Sequence, residues 1–326
     1  MPRPEANGSE QKTRWSSRSI GSAWQHQFFY LLIRLGGRRL AYFFLVFVVG
    51  YYMLLRPDQR AKTRPYLERR FPGSGALARW AQSYRMSYSL GQVLIDRAIV
   101  GIIGPGQIDA TLHGKQELLE LLAENRGLIL VNAHVGSWQA AMSALGFMKK
   151  PVNLLMQREE GDLDRHYFEH RGEDSPYRII DPRGELGGVF EMIEVLKKGE
   201  VLSVMGDRML GEDRNGVDVE FLGGSVTMPF SAYKLASATG APIVALLSYK
   251  TGPNSYALKI YGVIRVPGNL GRGREVFIPY VRQFAAALEN YCHEHPFQFF
   301  NFFNMWQNNP VYPSQNTGNP DKEQAS

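Results

Sequence analysis

Residues 128–139 read LILVNAHVGSWQ and set the pattern for most of the chain. A short apolar run that ends at a turn signal is typical of a strand buried on both faces. This run delivers His134 to Gly136, where the backbone can bend tightly and a substrate can approach it. A helix starting near Ser137 would point its free N–H groups and its positive dipole end at the same place. The stretch therefore predicts a strand, a turn and a helix, with a histidine where the strand ends.

Apolar strands alternate with amphipathic helices through the rest of the C-terminal two thirds. We expect strands at 127–132, 152–156, 177–180, 201–205, 242–248 and 256–266. We expect helices at 61–71, 76–100, 118–124, 137–148, 163–171, 187–198, 229–239 and 276–295. This alternation predicts an α/β fold, in which a mostly parallel central sheet is flanked by helices on both faces.

The chain of 326 residues divides into four parts by composition. Residues 1–17 are polar and predicted to be disordered, and so is the tail 310–326. Residues 18–100 form an apolar, helical, membrane-proximal segment. Residues 101–309 form the α/β domain, since no internal repeat and no linker rich in Pro, Gly or Ser interrupts 110–306.

The membrane question concerns residues 40–55, which carry no charge. The run is shorter than the roughly 20 apolar residues of a full span. Arg38 and Arg39 precede it and Arg56 follows it, so the distribution of basic residues gives no orientation. One reading is an anchoring helix whose arginines reach the membrane surface, and the other is a buried core helix. The second apolar stretch just before it favours the anchor.

The charge balance favours acidic partners. The formal net charge is +6 and the pI is about 9.3, which suits anionic lipids, an acidic carrier protein or nucleic acid. No basic run is long enough for a nucleic-acid arm, so nucleic acid is not expected. Cys292 is the single cysteine, which excludes a disulfide within the chain. The acidic and histidine residues at 162–170 fit a solvated charged helix, and those at 293–295 fit a helix C-terminus, so no metal is expected.

His134 has two readings, a catalytic base or a side chain that caps the following helix. Asp207 and Arg208 follow the predicted strand 201–205, so parallel strands bring them to the same sheet edge; their alternative is an ordinary ion-paired loop. Ser137 lies outside any Gly-x-Ser-x-Gly elbow, which disfavours a serine hydrolase. A catalytic His134 would therefore activate a hydroxyl or amine of a substrate directly.

Five blocks carry a family resemblance. HVGSWQ at 134–139 resembles the His-x4-acid motif of the lysophospholipid acyltransferase superfamily, and more closely the His-Phe-Gly-Asn-Trp-Glu of its bacterial lipid A acyltransferase branch. The Gly-Asp-Arg at 206–208 looks like that branch's Gly-Asp-Gln. The stretches VDVEFLGGSVT (217–227), LASATGAPIV (235–244) and PFQFFNFFNMW (296–306) are similar to three further blocks, in the same order.

The resemblance implies transfer of a fatty acyl chain from an acyl carrier protein or coenzyme A thioester, with no other cofactor. The acceptor would be a hydroxyl of a membrane lipid or glycolipid, at the anionic bacterial inner membrane, with the catalytic domain in the cytoplasm. His134 would be the general base, oriented by residue 139. Gly136, Trp138, Arg208 and Thr227 would contribute to substrate binding.

The departures from the family pattern raise a specific question. Gln139 replaces the acid; its amide oxygen can accept a proton from His134 but cannot neutralise the imidazolium that forms. Asp207 is the candidate for the missing carboxylate. Arg208 replaces glutamine, and Phe303 lies where the closing motif has histidine, so a different acceptor headgroup is expected. The alternative is an inactive lipid-binding protein on the same fold.

Overall fold

The computed structural model describes residues 23–137, 144–156, 177–184, 188–209, 215–271 and 273–306. The helices are α1 (Ala23–Leu55), α2 (Pro57–Arg70), α3 (Ala76–Ile102), α4 (Lys115–Ala123), α5 (Val189–Lys197), α6 (Ser231–Thr239) and α7 (Ile278–Glu294). The strands are β1 (Asp109–His113), β2 (Leu128–Asn132), β3 (Val152–Leu155), β4 (Tyr177–Ile180), β5 (Val201–Met205), β6 (Gly216–Phe221), β7 (Gly224–Pro229), β8 (Ile243–Lys250) and β9 (Ser255–Ile264).

A seven-stranded sheet lies at the centre, in the order β1-β9-β8-β2-β5-β3-β4. Strands β8, β2, β5, β3 and β4 run parallel to one another. Strand β9 pairs antiparallel with β8, and β1 pairs parallel with β9. The carboxyl ends of β8, β2 and β5 therefore meet at one edge, which is where ligands bind in open α/β sheets.

Both faces of the sheet are covered, because the central strands are apolar on both sides. On β2, Ile129 and Val131 pack in one core cluster with residues of α5, α6 and α7. Leu128 and Leu130 point the other way and pack with residues of α3 and α4. This arrangement confirms the predicted α/β class with a mostly parallel sheet between helices.

Three strands were not predicted. Strand β1 is short and only partly buried, so it lacks the apolar run that marks the others. Strands β6 and β7 form an antiparallel hairpin whose turn places Leu222 and Gly223 in the left-handed region, with φ of 48° and 68°. Two left-handed residues are the geometry of a type I′ turn, and leucine is a poor signal for it. The predicted helix 163–171 and part of 137–148 lie outside the described residues, as do 1–17 and 310–326.

Helix α1 has an inner face and an outer face. Its inner face, including Ala41, Leu45 and Met53, packs in a core cluster with Ile95 and Ile99 of α3. Its outer face exposes large apolar side chains, which include Trp24, Leu31, Leu35, Phe43, Phe47, Leu54 and Leu55. The inner face is thus part of the core, while the outer face presents an apolar surface that stays uncovered within the described chain.

Among the described residues, no single helix has both the length and the apolar character needed to cross a bilayer. Residues 26–55 of α1 meet these requirements together with α2, but the two helices bend by 91° at their junction. This rests on length and composition alone, so membrane anchoring stays a prediction.

A buried carboxylate fastens these helices to the sheet. Asp96 of α3 accepts hydrogen bonds from Arg38 Nε at 2.8 Å, the Tyr42 hydroxyl at 2.7 Å, Lys250 Nζ at 2.6 Å and the Tyr256 hydroxyl at 2.6 Å. A fully buried carboxylate is costly unless its oxygens are paired in this way. We call these five residues the Asp96 cluster; it joins α1, α3, β8 and β9.

The Asp96 cluster predicts a large effect of Asp96→Asn. The asparagine side chain carries no charge, so Lys250 and Arg38 would lose their counter-charge. Its NH2 group would also face side chains that donate hydrogen bonds to the carboxylate. We expect a loss of about 3 kcal/mol in the free energy of unfolding, at the lower end for breaking a buried pair. Denaturant unfolding of the purified full chain measures it. Asp58→Asn, at an exposed carboxylate paired with Arg56, is the matched control and should change nothing measurable; equal effects would contradict the prediction.

Candidate active site

His134 and Asp207 meet at the carboxyl edge of the sheet. Strands β2 and β5 are parallel neighbours with Asn132 opposite Met205, and each functional residue lies two positions beyond its strand. His134 Nδ1 is 2.9 Å and 3.0 Å from the two carboxylate oxygens of Asp207. The sequence predicted that both side chains reach the same sheet edge, and in the structure they are in direct contact.

This contact sets the tautomer of the histidine. The side chain of Asp207 is 1% exposed and that of His134 is 29% exposed. An ionised carboxylate only accepts hydrogen bonds, so Nδ1 of the neutral imidazole must carry the proton. The basic lone pair then lies on Nε2. A positioned base with a buried orienting carboxylate is the arrangement used in general-base catalysis.

Arg208 lies against the same carboxylate. Its Nε donates to Asp207 Oδ2 at 3.3 Å and its Nη2 to the Phe300 carbonyl at 3.4 Å. Its guanidinium carbon is 5.1 Å from the ring centroid of Phe303, within the range of a cation–π contact. Arg208 and Phe303 are two of the departures from the family pattern, and in space they are neighbours.

The surroundings keep His134 neutral and Asp207 ionised. Burial and the Arg208 charge lower the pKa of His134 below its ordinary value, while Asp207 opposes this shift. Burial raises the pKa of Asp207, but the contact with His134 and the charge of Arg208 outweigh it and hold that pKa below its ordinary value. At neutral pH the pair is therefore a neutral imidazole beside a carboxylate, which is the form a base needs.

Gly136 is required by packing within the fold. Its φ is 49°, and a β-carbon there would collide with the Ser248 carbonyl of β8. Its N–H donates to the Gln298 carbonyl at 3.2 Å, and the N–H of Ser137 donates to Ser248 Oγ at 3.1 Å. Both amides are thus engaged in holding the turn, so neither is available to a substrate oxyanion without rearrangement. Substrate binding by Gly136 stays a prediction.

The remaining predicted site residues are Trp138, Gln139 and Thr227. Trp138 and Gln139 lie outside the described residues, so their relation to His134 is not described. Thr227 is on β7, where its hydroxyl donates to Asp218 of β6 at 2.6 Å; its predicted role in substrate binding stays open. Within the described ranges, no group of three or more histidine, cysteine or acidic residues is arranged to hold a metal.

The closing segment 296–306 contributes contacts that sequence reasoning missed. The Phe300 N–H donates to the His134 carbonyl at 2.8 Å, and Val135 pairs with Phe299 in an isolated bridge. The resemblance marked this block, but not that it braces the turn carrying the histidine. A segment some 160 positions away in sequence leaves no local signal for such pairing.

The comparisons with known proteins identify a family. The family model described as bacterial lipid A biosynthesis acyltransferase matches residues 9–308. The chain belongs to this family. It is 29% identical over 140 residues to a phosphatidylinositol mannoside acyltransferase of Mycobacterium tuberculosis, covering 42% of this chain and 43% of that protein. It is 28% identical over 146 residues to one of Mycolicibacterium smegmatis, covering 44% of this chain and 47% of that protein.

The matched region is thus less than half the length of these relatives. Among solved structures, the 1-acyl-sn-glycerophosphate acyltransferase of Thermotoga maritima aligns over 77% of this chain and 98% of its own, with 15% identity and a TM-score of 0.33. The fold class is given by the order and direction of the strands in the sheet.

The charges around His134 predict that its pKa shifts in opposite directions when Arg208 and when Asp207 is replaced. Arg208→Gln removes a charge that lowers the pKa of His134, so that pKa should rise. Asp207→Asn removes a charge that raises it, so it should fall further below the ordinary 6.5. Histidine NMR titration of the full chain measures both, with His134→Asn to assign the resonance. Shifts in the same direction in both variants would contradict the proposed pairing.

Proposed function

We propose that this chain transfers a fatty acyl group from a thioester donor to a hydroxyl of a membrane lipid or glycolipid, with His134 as general base. The observation that carries the proposal is the contact of His134 Nδ1 with Asp207 at the ligand-binding edge of the sheet. Membership in an acyltransferase family supports the reaction type. The names of the mycobacterial relatives support a glycolipid acceptor.

In the proposed reaction, His134 Nε2 takes the proton of the acceptor hydroxyl as its oxygen attacks the thioester carbonyl. The carbon–oxygen bond forms and the carbonyl oxygen becomes an oxyanion. When the oxyanion collapses, the carbon–sulfur bond breaks and the thiolate leaves. The imidazolium then returns its proton to the sulfur, so His134 ends as it began. Asp207 stabilises the imidazolium between these two proton transfers.

In this proposal Asp207 supplies the carboxylate that Gln139 lacks. Replacing the acid of a catalytic triad by its amide lowers the rate by about 10⁴-fold in a serine protease. Here a buried carboxylate already contacts Nδ1, so an amide at position 139 is compatible with activity. Gln139 is left with a positioning role in this proposal, and Asp207 with the electrostatic one.

The donor and the location follow from charge and surface. A net charge of +6 suits an acidic acyl carrier protein and an anionic membrane. The exposed apolar side chains on the outer face of α1 suit contact with the lipid. We therefore propose acyl carrier protein as the donor, with coenzyme A as the alternative, at the bacterial inner membrane with the α/β domain on the cytoplasmic side.

Transfer of a labelled acyl chain from acyl carrier protein to membrane lipids tests the proposal. Wild-type membranes should label a glycolipid. His134→Ala should lower the rate by about 10²–10⁴-fold, the usual contribution of a general base. Asp207→Asn should lower the rate of acyl transfer more than Gln139→Ala does, because it removes the carboxylate that stabilises the imidazolium.

Asp58→Asn serves as the control, since its carboxylate lies at the surface of α2. Full activity of His134→Ala would exclude His134 as the base. A wild-type chain that consumes no donor, with turnover appearing in Gln139→Glu, would instead establish the inactive lipid-binding alternative.

A further inference from the structure

A polar groove of about 310 Å³ lies between the N-terminal helices and the sheet. This volume is at the lower end of the roughly 300–1,000 Å³ of ligand pockets. Its wall comes from α1, α3, the turn between β8 and β9, and the closing segment. The lining residues that matter here are Tyr42, Ser89, Gln92, Lys250, Thr251 and Gln298.

The groove is joined to the His134 turn through Gln298. The Gln298 side chain accepts from the Lys250 N–H at 2.7 Å and donates to the Lys250 carbonyl at 3.1 Å. The Gln298 main-chain carbonyl accepts from the Gly136 N–H. Because β8 and β2 are parallel neighbours, Lys250 at the end of β8 and His134 beyond the end of β2 lie at the same edge. The groove and the turn that carries His134 thus share Gln298, and both lie at the carboxyl edge of the sheet.

The free hydrogen-bonding groups of the groove suit a hydroxyl-rich ligand. Ser89 and Gln92 are one turn apart on α3, and Thr251 lies in the β8–β9 turn. In the described part of the chain, these three side chains have no hydrogen-bond partner. Hydroxyl and amide groups both donate and accept, as the hydroxyls of a sugar or cyclitol do. Most of the lining side chains are polar, so the groove suits a polar headgroup better than an acyl chain.

The charge beneath the groove favours an anion. In the Asp96 cluster, Arg38 and Lys250 face one carboxylate, which leaves a net charge of one positive. The Lys250 side chain is 9% exposed and lines the groove, so its charge is poorly screened by water. A ligand with one negative charge and several hydroxyls matches both features.

The neighbouring surface indicates that the ligand is a lipid. Tyr42 is half-buried at the groove, and the next residues on the outer face of α1 include Phe43 and Phe47, which are 57% and 58% exposed. A headgroup in the groove would leave its acyl chains beside this apolar face. We propose that the groove binds the hydroxyl-rich, anionic headgroup of the acceptor lipid and directs one of its hydroxyls to His134. This inference rests on the proposed function, whose acceptor it specifies.

Binding to the purified full chain tests the groove independently of acyl transfer. The probes are myo-inositol 1-phosphate, myo-inositol and inorganic phosphate, followed by ligand-observed NMR. The inositol phosphate should bind at least tenfold more tightly than either part alone, because it engages both the polar wall and the charge. Gln92→Leu should weaken it about tenfold. Gln116→Leu, at an exposed glutamine of α4 bonded to Glu120, is the matched control and should bind as the wild type does.

Measuring binding in His134→Ala separates the two proposals. Tight binding there, together with no acyl transfer by the wild type, would reject the proposed function while keeping the groove. With transfer established, Gln92→Leu should raise the KM for the acceptor and leave the donor KM unchanged, at an unchanged melting temperature. Unaltered affinity in Gln92→Leu would overturn the groove proposal. So would displacement of inositol phosphate by 4′-phosphopantetheine at equal concentration, which would assign the groove to the donor arm instead.

Discussion

The fully buried carboxylate of Asp96 determines how the N-terminal helices sit on the α/β domain. Four donors from α1, β8 and β9 converge on its two oxygens. Arg38 reaches it directly after the break in α1 at Gly37, where φ is 64° and ψ is −158°. An uninterrupted helix would carry Arg38 in a different direction, so the break and the ion pair belong together. The same attachment places the polar groove beside α1 and leaves the apolar outer face of α1 uncovered within the described chain.

A second buried carboxylate, Asp207, differs from Asp96 in the kind of side chain that it contacts. The oxygens of Asp96 accept hydrogen bonds from two basic side chains and two tyrosine hydroxyls, so that cluster ties the helices to the sheet. Asp207 instead faces an imidazole whose side chain is 29% exposed, and a histidine can change its charge near neutrality. Arg208 contacts Asp207 as well, and thereby keeps the carboxylate ionised and oriented. Similar burial thus yields a structural anchor in one case and the proposed proton-transfer site in the other.

Sequence patterns predicted those parts of the fold that rest on local periodicity. The buried runs of β2, β5 and β8 were recognisable because strands covered on both faces are apolar throughout. The meeting of His134 with Asp207 followed from a general property of parallel sheets, although the neighbouring order of β2 and β5 did not. Strand β1 escaped detection because it lies at the sheet edge and is half exposed. The groove also escaped, since its wall draws on segments some 250 positions apart whose approach depends on the Asp96 cluster.

Among the departures from the family pattern, the cation at position 208 changes the electrostatics of the described site. An acid is absent at Gln139, a cation is gained at Arg208, and the closing motif places Phe303 against that cation. Arg208 favours a neutral imidazole, because it adds a positive charge close to His134. A base with a lowered pKa is present in its active form over a wider pH range, but it attracts the proton less strongly. Efficient transfer then depends more on holding the acceptor hydroxyl in line with Nε2, which is the task that a headgroup groove beside His134 would perform.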